Sequence, residues 1–520
     1  MQLIIPMSGT GERFRKAGYS IPKPLLKISG KTMVQHVIEM YPGISDVLFI
    51  VNKNDFENET LSLESHLRII APDCQIAIID QHKFGPAWAI NEALEYVNKT
   101  TPVIVNYCDF SCIWNFSEFK KQLESGIDGL IATYSGFHPH MIRSSKYAYL
   151  QMNSDGFLSD IQEKQSFTPF PEDEPASSGT YGFKNGKILL DAIRMQIALN
   201  HSYNSEYYMS LTYKNMIKEG FKIRNFEIEK FLQWGTPEDF EDFKSQKDYF
   251  HFRKENVDIS DGADNVTILA AGAGQRFLDA GYLVPKPFLN TNKGYLIEEA
   301  LLAIQGTSNN LSIVLQDSVE IPQDFLGFIQ NANIEVKRVC GLTRGQAESA
   351  LFALREINEG DCIVGTCDSL IHLATNSNLE VLKGNTMGVW VAHPNQLAMK
   401  NPEQFGWVDV EESNEPGKIT QSWIKKIPED GKNVKLVTGA FYFADVARSI
   451  TLIEDFIRSE KMVNGEYYLD SLIDFGKSKG WNIVALEANW FISLGTPSEY
   501  KVYRYWEDFF DLNQHFLISD

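Results

Sequence analysis

A chain of 520 residues, 43% apolar and 22% charged, is globular in composition and too long for a single core, so roughly two to four domains are expected. Its net charge of −20 disfavours nucleic acid as a partner, and no run of about 18 apolar residues is present to cross a membrane. The six cysteines lack both disulfide-scaffold density and zinc-site spacing.

Met1 leads directly into QLIIPMSG, with no basic segment and no cleavage site, so no signal peptide is expected and the chain reads as cytoplasmic. LIIPM, DVLFIVN, QIAIID and PVIVNYC are short runs apolar on both faces, as buried parallel strands are. TMVQHVIEMY and AWAINEALEYVN lie between them with apolar residues at helical spacing. Strand alternating with helix predicts a doubly wound α/β sheet, whose ligands sit over the carboxyl ends of the strands.

Two segments converge on that edge. The first follows the first strand: Met7 and Ser8, then Gly9, Thr10, Gly11, Arg13 and Phe14, then Lys23 between Pro22 and Pro24. The glycines let backbone N–H groups turn towards an anion, and Arg13 and Lys23 supply permanent positive charge on a stiffened segment. The third glycine of a dinucleotide fingerprint is absent, and SGKT at 29–32 lacks the first glycine of a Walker loop. The second is Asp109 at the end of the fourth strand, where a bare carboxylate is unfavourable unless a cation or a cap accompanies it.

The whole pattern then recurs. Ala271, Gly272, Ala273, Gly274, Arg276 and Lys286 repeat the first segment 263 residues later. FGPAWAINEAL (84–94) returns as RGQAESALFAL (344–354), and VNYCDFS (105–111) as VGTCDSL (364–370), which carries Asp368. SSGTYGF (177–183), NSEYYMS (204–210) and FLQWGTPEDF (231–240) return 260 residues on as VTGAFYF, NGEYYLD and FISLGTPSEY. Two copies of about 255 residues are tandem domains. The expected division is residues 1–253, a polar linker at 254–265, and residues 266–520.

This set of motifs resembles the sugar-1-phosphate nucleotidylyltransferases (NDP-sugar pyrophosphorylases), in both halves. The resemblance implies two tandem Rossmann-like, GT-A-like domains with mixed, mostly parallel sheets. It implies a transferase that joins an NTP to a sugar or polyol phosphate and releases pyrophosphate, with Mg²⁺ as cofactor and a place in surface-glycan precursor supply. Arg13, Lys23, Arg276 and Lys286 would be catalytic. Met7 to Gly11, Gly85, Pro86, Ala271 to Gly274, Gly345 and Gln346 would hold the nucleotide. Glu163, Lys164, Gly179 and Thr180 would hold the sugar phosphate, with Lys426 and Gly439 in the second copy. Asp109 and Asp368 would hold the metal.

Two departures stand out. Gln233 and Ser493 occupy the place of a second metal-binding Asp. The Glu of the Glu163–Lys164 pair becomes Lys425, beside Lys426. Small residues, Ala148 and Gly406, precede the pair in each copy, and the repeated His138 and His393 read as ligand contacts or as packing groups. The aromatic stretch from Tyr500 to Phe516 has helical spacing and reads as a packing helix or a homodimer contact. Alternatives are one active copy with a regulatory nucleotide-binding copy, or a GT-A glycosyltransferase. The last would need an Asp-x-Asp motif that neither Asp109 to Ser111 nor Asp368 to Leu370 supplies.

Overall fold

The computed structural model describes the chain apart from residues 143–146, 256–261, 374–378, 395–397, 400, 412–415, 427, 429–432 and 518–520. It forms two compact units, Met1–Lys247 with Phe509–Asp520, and Asp248–Asp508.

In the first unit the strand Gln2–Met7 is buried throughout and lies between Asp46–Asn52 and Val103–Asn106, parallel to both. Gln75–Ile79 extends this parallel half beyond Asp46–Asn52. Ala176–Phe183 then runs antiparallel to Val103–Asn106 and carries the rest of the sheet, including Ala148–Met152, Leu158–Glu163 and Gly129–Tyr134. Side chains alternate across the pleat, so the strand Gln2–Met7 feeds two cores. Leu3, Ile5 and Met7 pack on one face, and Ile4 on the other with the helix Pro86–Glu92.

The second unit repeats the plan. Asn265–Leu269 sits between Asn310–Gln316 and Cys362–Thr366, all parallel, with Glu335–Val339 at the edge. Val434–Phe443 runs antiparallel to Cys362–Thr366 and leads into Thr386–Ala392 and Gly406–Glu411. The doubly wound expectation therefore holds for the half that carries the glycine loop, and a mixed half, joined to it by an antiparallel pair, completes each sheet.

The helix Pro237–Glu255 runs past residue 253 into the segment read as linker. Its polar exterior resembles a linker, but Tyr249 and Phe250 are buried and pack on Trp490 and Tyr503 in the second unit. The aromatic C-terminal stretch forms the helix Pro497–Leu512 and a 3₁₀ turn, Gln514–Leu517. Its last rings belong to the first unit, where Phe510 packs on Phe243 and Phe516 stacks on His36. Among the described residues no helix is long and apolar enough to cross a membrane.

Candidate nucleotide and phosphate-ester sites

The glycine loop leaves the end of the first strand and turns at Gly11, whose φ of 60° is left-handed and caps the short helix Glu12–Lys16. Gly274, with φ 63°, caps Gln275–Asp279 in the same way. A side chain there would be strained, which accounts for the second glycine of the motif. Gly9 and Gly272 have nothing within 4 Å of where a Cβ would stand, so the loop's outer face is open to a ligand. Ser8 is buried and meets Nε2 of His82 at 3.3 Å. Met7 ends its strand and Ala271 follows the strand Asn265–Leu269 by two residues, both with buried side chains.

The Pro-Lys-Pro segments fold almost identically. Pro22 has φ −55° and ψ 138°, and Pro285 has φ −56° and ψ 138°. Each lysine then starts a 3₁₀ turn that aims it at the strand-end carboxylate. Lys23 Nζ donates to Asp109 Oδ2 at 2.6 Å, with the two side chains 19% and 22% exposed. Lys286 makes the same charged hydrogen bond to Asp368. Burial disfavours the Lys23 ammonium, but Asp109 outweighs it and holds the group above the usual lysine range. Lys286 and Asp368 behave likewise: burial acts against both charges, yet the lysine is held up and the Asp368 carboxyl is held down. These are cationic groups locked in the charged state and only partly covered.

Arg13 and Arg276 are exposed and have no ion-pair partner among the described residues. Their charges are nevertheless felt at the site, Arg13 by Lys23 and Tyr208, and Arg276 by Lys425 and Tyr468. An arginine left unpaired at the rim of such a cleft is available to an anion.

The candidate nucleobase loop is stitched to the Glu-Tyr-Tyr motif. Tyr207 N donates to Phe84 O at 2.7 Å and Ala87 N to Tyr207 O at 3.0 Å. In the second unit Tyr467 N donates to Arg344 O at 2.8 Å and Ala347 N to Tyr467 O at 2.9 Å. A Cβ on Gly85 would stand 2.9 Å from the backbone of Tyr207, and one on Gly345 2.7 Å from that of Tyr467. Pro86 and Gln346 are half-buried at the first position of the helices that follow, Pro86–Glu92 and Gln346–Leu354.

The GTP loop closes on the aspartate. Trp234 N donates to Asp109 O at 2.9 Å and Leu494 N to Asp368 O at 2.7 Å. Gln233 is buried and accepts from Tyr147 OH at 2.5 Å. In the second unit the sequence did not show that Glu499 comes near the aspartate: a Cβ on Gly495 would lie 3.5 Å from Asp368 Oδ2 and 3.6 Å from Glu499 Oε2. Glu499 lies in the stretch GTPSEY, where Asp239 stands in the first copy, and that acidic match was the available signal. Among the described residues no cluster of three or more His, Cys, Asp or Glu forms a complete metal cage. Glu499 Oε2 accepts from Thr496 N at 2.8 Å and from Thr496 Oγ1 at 3.0 Å, so it caps its helix, and the donors fit a cation held by one carboxylate in each unit and completed by phosphate oxygens.

Glu163 accepts from Ser210 Oγ at 2.5 Å, and burial pushes its carboxyl up to about 7. Lys164 sits in a left-handed conformation, φ 58°, with its Nζ 2.7 Å from Tyr208 OH and over that ring. Gly179, φ 104°, leaves 2.9 Å from a Cβ position to the Phe110 ring. Thr180 is turned inward, its hydroxyl bonded to Asn106, so it supports the strand rather than lining the pocket. His138 is buried with its Nε2 3.0 Å from Phe231 O, which makes it a packing group. His393 pairs with Lys435 Nζ at 2.9 Å.

The second copy corrects the assignment of Lys426. Strand pairing sets Glu163 opposite Ala148, and Ile424 opposite Gly406. Lys164 N bonds to Tyr147 O at 3.0 Å, and Lys425 N to Phe405 O at 3.1 Å. Lys425 also has φ 54° and lies over Tyr468. Lys425 is therefore the counterpart of Lys164, Ile424 that of Glu163, and Lys426 is an exposed residue beyond the site. The two adjacent lysines made the sequence ambiguous by one residue, and the pairing register removes the ambiguity.

Residues 3–246 match the family model for nucleotidyl transferase. The bifunctional protein GlmU of Lactobacillus johnsonii is 28% identical over 235 residues, 44% of this chain and 47% of that protein. The 2-C-methyl-D-erythritol 4-phosphate cytidylyltransferase of Wigglesworthia glossinidia brevipalpis is 26% identical over 159 residues, 28% of this chain and 65% of that protein. The chain thus spans about half the length of the GlmU relative. Among solved structures, the nucleoside-diphosphate-sugar pyrophosphorylase from Vibrio cholerae RC9 aligns with 46% of this chain and 98% of its own, at 22% identity and a TM-score of 0.39.

Proposed function

Since residues 3–246 match the family model for nucleotidyl transferase, we propose that each of the two units of this chain transfers a nucleotidyl group from an NTP to a sugar or polyol phosphate, releasing pyrophosphate. The observation that carries this reading is the lysine–aspartate pair built twice from the same local structure, Lys23 on Asp109 and Lys286 on Asp368, beside an open glycine loop.

The chemistry follows from charge. A phosphate-ester oxygen, already anionic near neutral pH, attacks the α-phosphorus; the new P–O bond forms as the α–β P–O bond breaks, and the electron pair leaves with pyrophosphate. No general base is required. The obstacle is to bring two anions together and to neutralise growing charge on the leaving group. The Gly9–Gly11 and Gly272–Gly274 loops would cradle the triphosphate with backbone N–H groups. Lys23 and Lys286 would move from their aspartates to phosphate oxygens, and Arg13 and Arg276 would close on them from the rim. Asp109 and Asp368, so released, would hold Mg²⁺, which when bound supplies further neutralisation of the phosphates. Lys164 and Lys425 would hold the incoming phosphate. A cytoplasmic supplier of activated glycan precursors fits this chemistry.

The test is pyrophosphate release. The protein is mixed with Mg²⁺, each NTP in turn, and a panel of glucose 1-phosphate, N-acetylglucosamine 1-phosphate, inositol 1-phosphate and 2-C-methyl-D-erythritol 4-phosphate. Release dependent on both substrates is expected for at least one pairing. Sugar transfer from an NDP-sugar without pyrophosphate release would replace this reading with that of a glycosyltransferase.

A further inference from the structure

The two pockets differ where the incoming ester would lie. In the first, a carboxylate stands on the strand at Glu163 and the facing helix presents Ser210 to it. In the second, the strand position is Ile424, and the helix position, 260 residues after Ser210, is Asp470. The acid has changed sides. Its arrival requires space, and the neighbouring strand supplies it: a Cβ on Gly406 would stand 2.1 Å from Asp470 Oδ2, whereas the first unit carries Ala148 at that position. Asp470 is 7% exposed. Among the described residues no side chain donates a hydrogen bond to it; its own backbone N–H and the charge of Lys425 favour the carboxylate. Burial pushes the Asp470 carboxyl up and the Lys425 ammonium down, each against the pull of the other. A buried, incompletely paired carboxylate costs stability unless a ligand supplies its donors.

The pocket floor has changed with it. Gly179 in the first unit faces two aromatic rings, Phe110 at 2.9 Å and Tyr107 at 3.1 Å from a Cβ position. Gly439 in the second faces two hydroxyls, Ser369 Oγ and Thr366 Oγ1, each at 3.2 Å. Replacing rings by hydroxyls removes bulk beside this glycine and puts two polar groups there, bonded to each other at 3.0 Å.

We propose that Asp470 is the hydroxyl-recognising carboxylate of the second pocket, standing in for Glu163 from the opposite wall, and that the two units take different phosphate esters, the second the bulkier or more hydroxylated one. This rests on the reading of both units as phosphate-ester sites. A carboxylate accepting from a ligand hydroxyl discriminates strongly against an ester that lacks it, because the acid is then left buried and unpaired. Moving the acid across the pocket therefore changes which hydroxyl is read.

The test is calorimetric titration of the same four-ester panel into the full chain with Mg²⁺ and a non-hydrolysable NTP analogue, comparing the wild type with Asp470→Asn and Glu163→Gln. Both variants keep side-chain volume, and NTP-analogue affinity within about twofold of wild type reports an intact fold. At least one ester is expected to weaken tenfold or more in Asp470→Asn while changing less than twofold in Glu163→Gln. Isotherms unchanged by Asp470→Asn, equal weakening of the same ester by both variants, or no binding of any panel member to the wild type would each overturn the proposal. Pyrophosphate release measured in parallel separates the catalytic reading: esters that bind as described without release sink that reading and leave the recognition claim standing.

Discussion

Gly345→Ala puts the loop architecture to a quantitative test. The new Cβ would lie 2.7 Å from both the N and the O of Tyr467, closer than real Cβ contacts allow, and the obstacle is backbone rather than a movable side chain. Residue 345 also has φ 125°, outside the range that side-chain-bearing residues adopt comfortably. That conformation costs roughly 1–3 kcal/mol in a residue with a Cβ. Relief of the clash must part the loop from the Glu-Tyr-Tyr segment and break the hydrogen bonds from Tyr467 N to Arg344 O and from Ala347 N to Tyr467 O. Each contributes about 0.5–1.5 kcal/mol net. A local loss of about 2–6 kcal/mol follows from these terms, enough to open the segment without unfolding the unit. Hydrogen exchange reads it directly: protection of the Ala347 and Tyr467 amides should fall by about 30-fold or more, and NTP affinity with it. Gly272→Ala is the control, since its Cβ meets nothing within 4 Å; it should leave exchange unchanged while weakening NTP binding at the open face of the loop. Wild-type protection in Gly345→Ala would refute the argument.

Other outcomes follow from the same geometry. Asp109→Asn leaves Lys23 largely buried without its counter-charge, and should lower pyrophosphate release at the first site by about 10²-fold or more, with a smaller loss of stability. Gly179→Ala forces a Cβ to 2.9 Å from the Phe110 ring at φ 104°, and should destabilise the first unit by about 1–3 kcal/mol in urea unfolding. Glu163, whose carboxyl is raised to about 7 in the fold, binds a proton that the unfolded chain has released above about 4.5. Its contribution should therefore be fully present below about 4.5 and decline as pH rises to about 7, a slope that Glu163→Gln removes in unfolding curves measured between those pH values. Chelation of divalent cations should abolish pyrophosphate release, and added Mg²⁺ should restore it.

Much of this site was readable before the fold. GxGxRF, Pro-Lys-Pro and the strand-end aspartate are local devices: a left-handed turn, a proline-set aim and a strand terminus each follow from a few adjacent residues. They were also written twice, so chance could be dismissed. What the sequence concealed depends on partners distant in the chain. Whether Lys425 or Lys426 matches Lys164 is decided by strand register against Gly406, and two adjacent lysines leave that register ambiguous. Asp470 is the last residue of NGEYYLD, and nothing adjacent to it in the chain shows that Gly406 makes room for its carboxylate. Thr180 shared a motif with Gly179, yet alternation along the strand turns its side chain to Asn106. The helix Pro237–Glu255 concealed its length because its exterior is as polar as a linker.

Each unit of this acidic chain is proposed to use its own lysine, Lys23 on Asp109 or Lys286 on Asp368. Pyrophosphate release with a saturating NTP and ester should survive in Lys23→Ala alone or in Lys286→Ala alone, each with its own ester preference, and vanish in the double variant. Full release in the double variant would contradict the proposal.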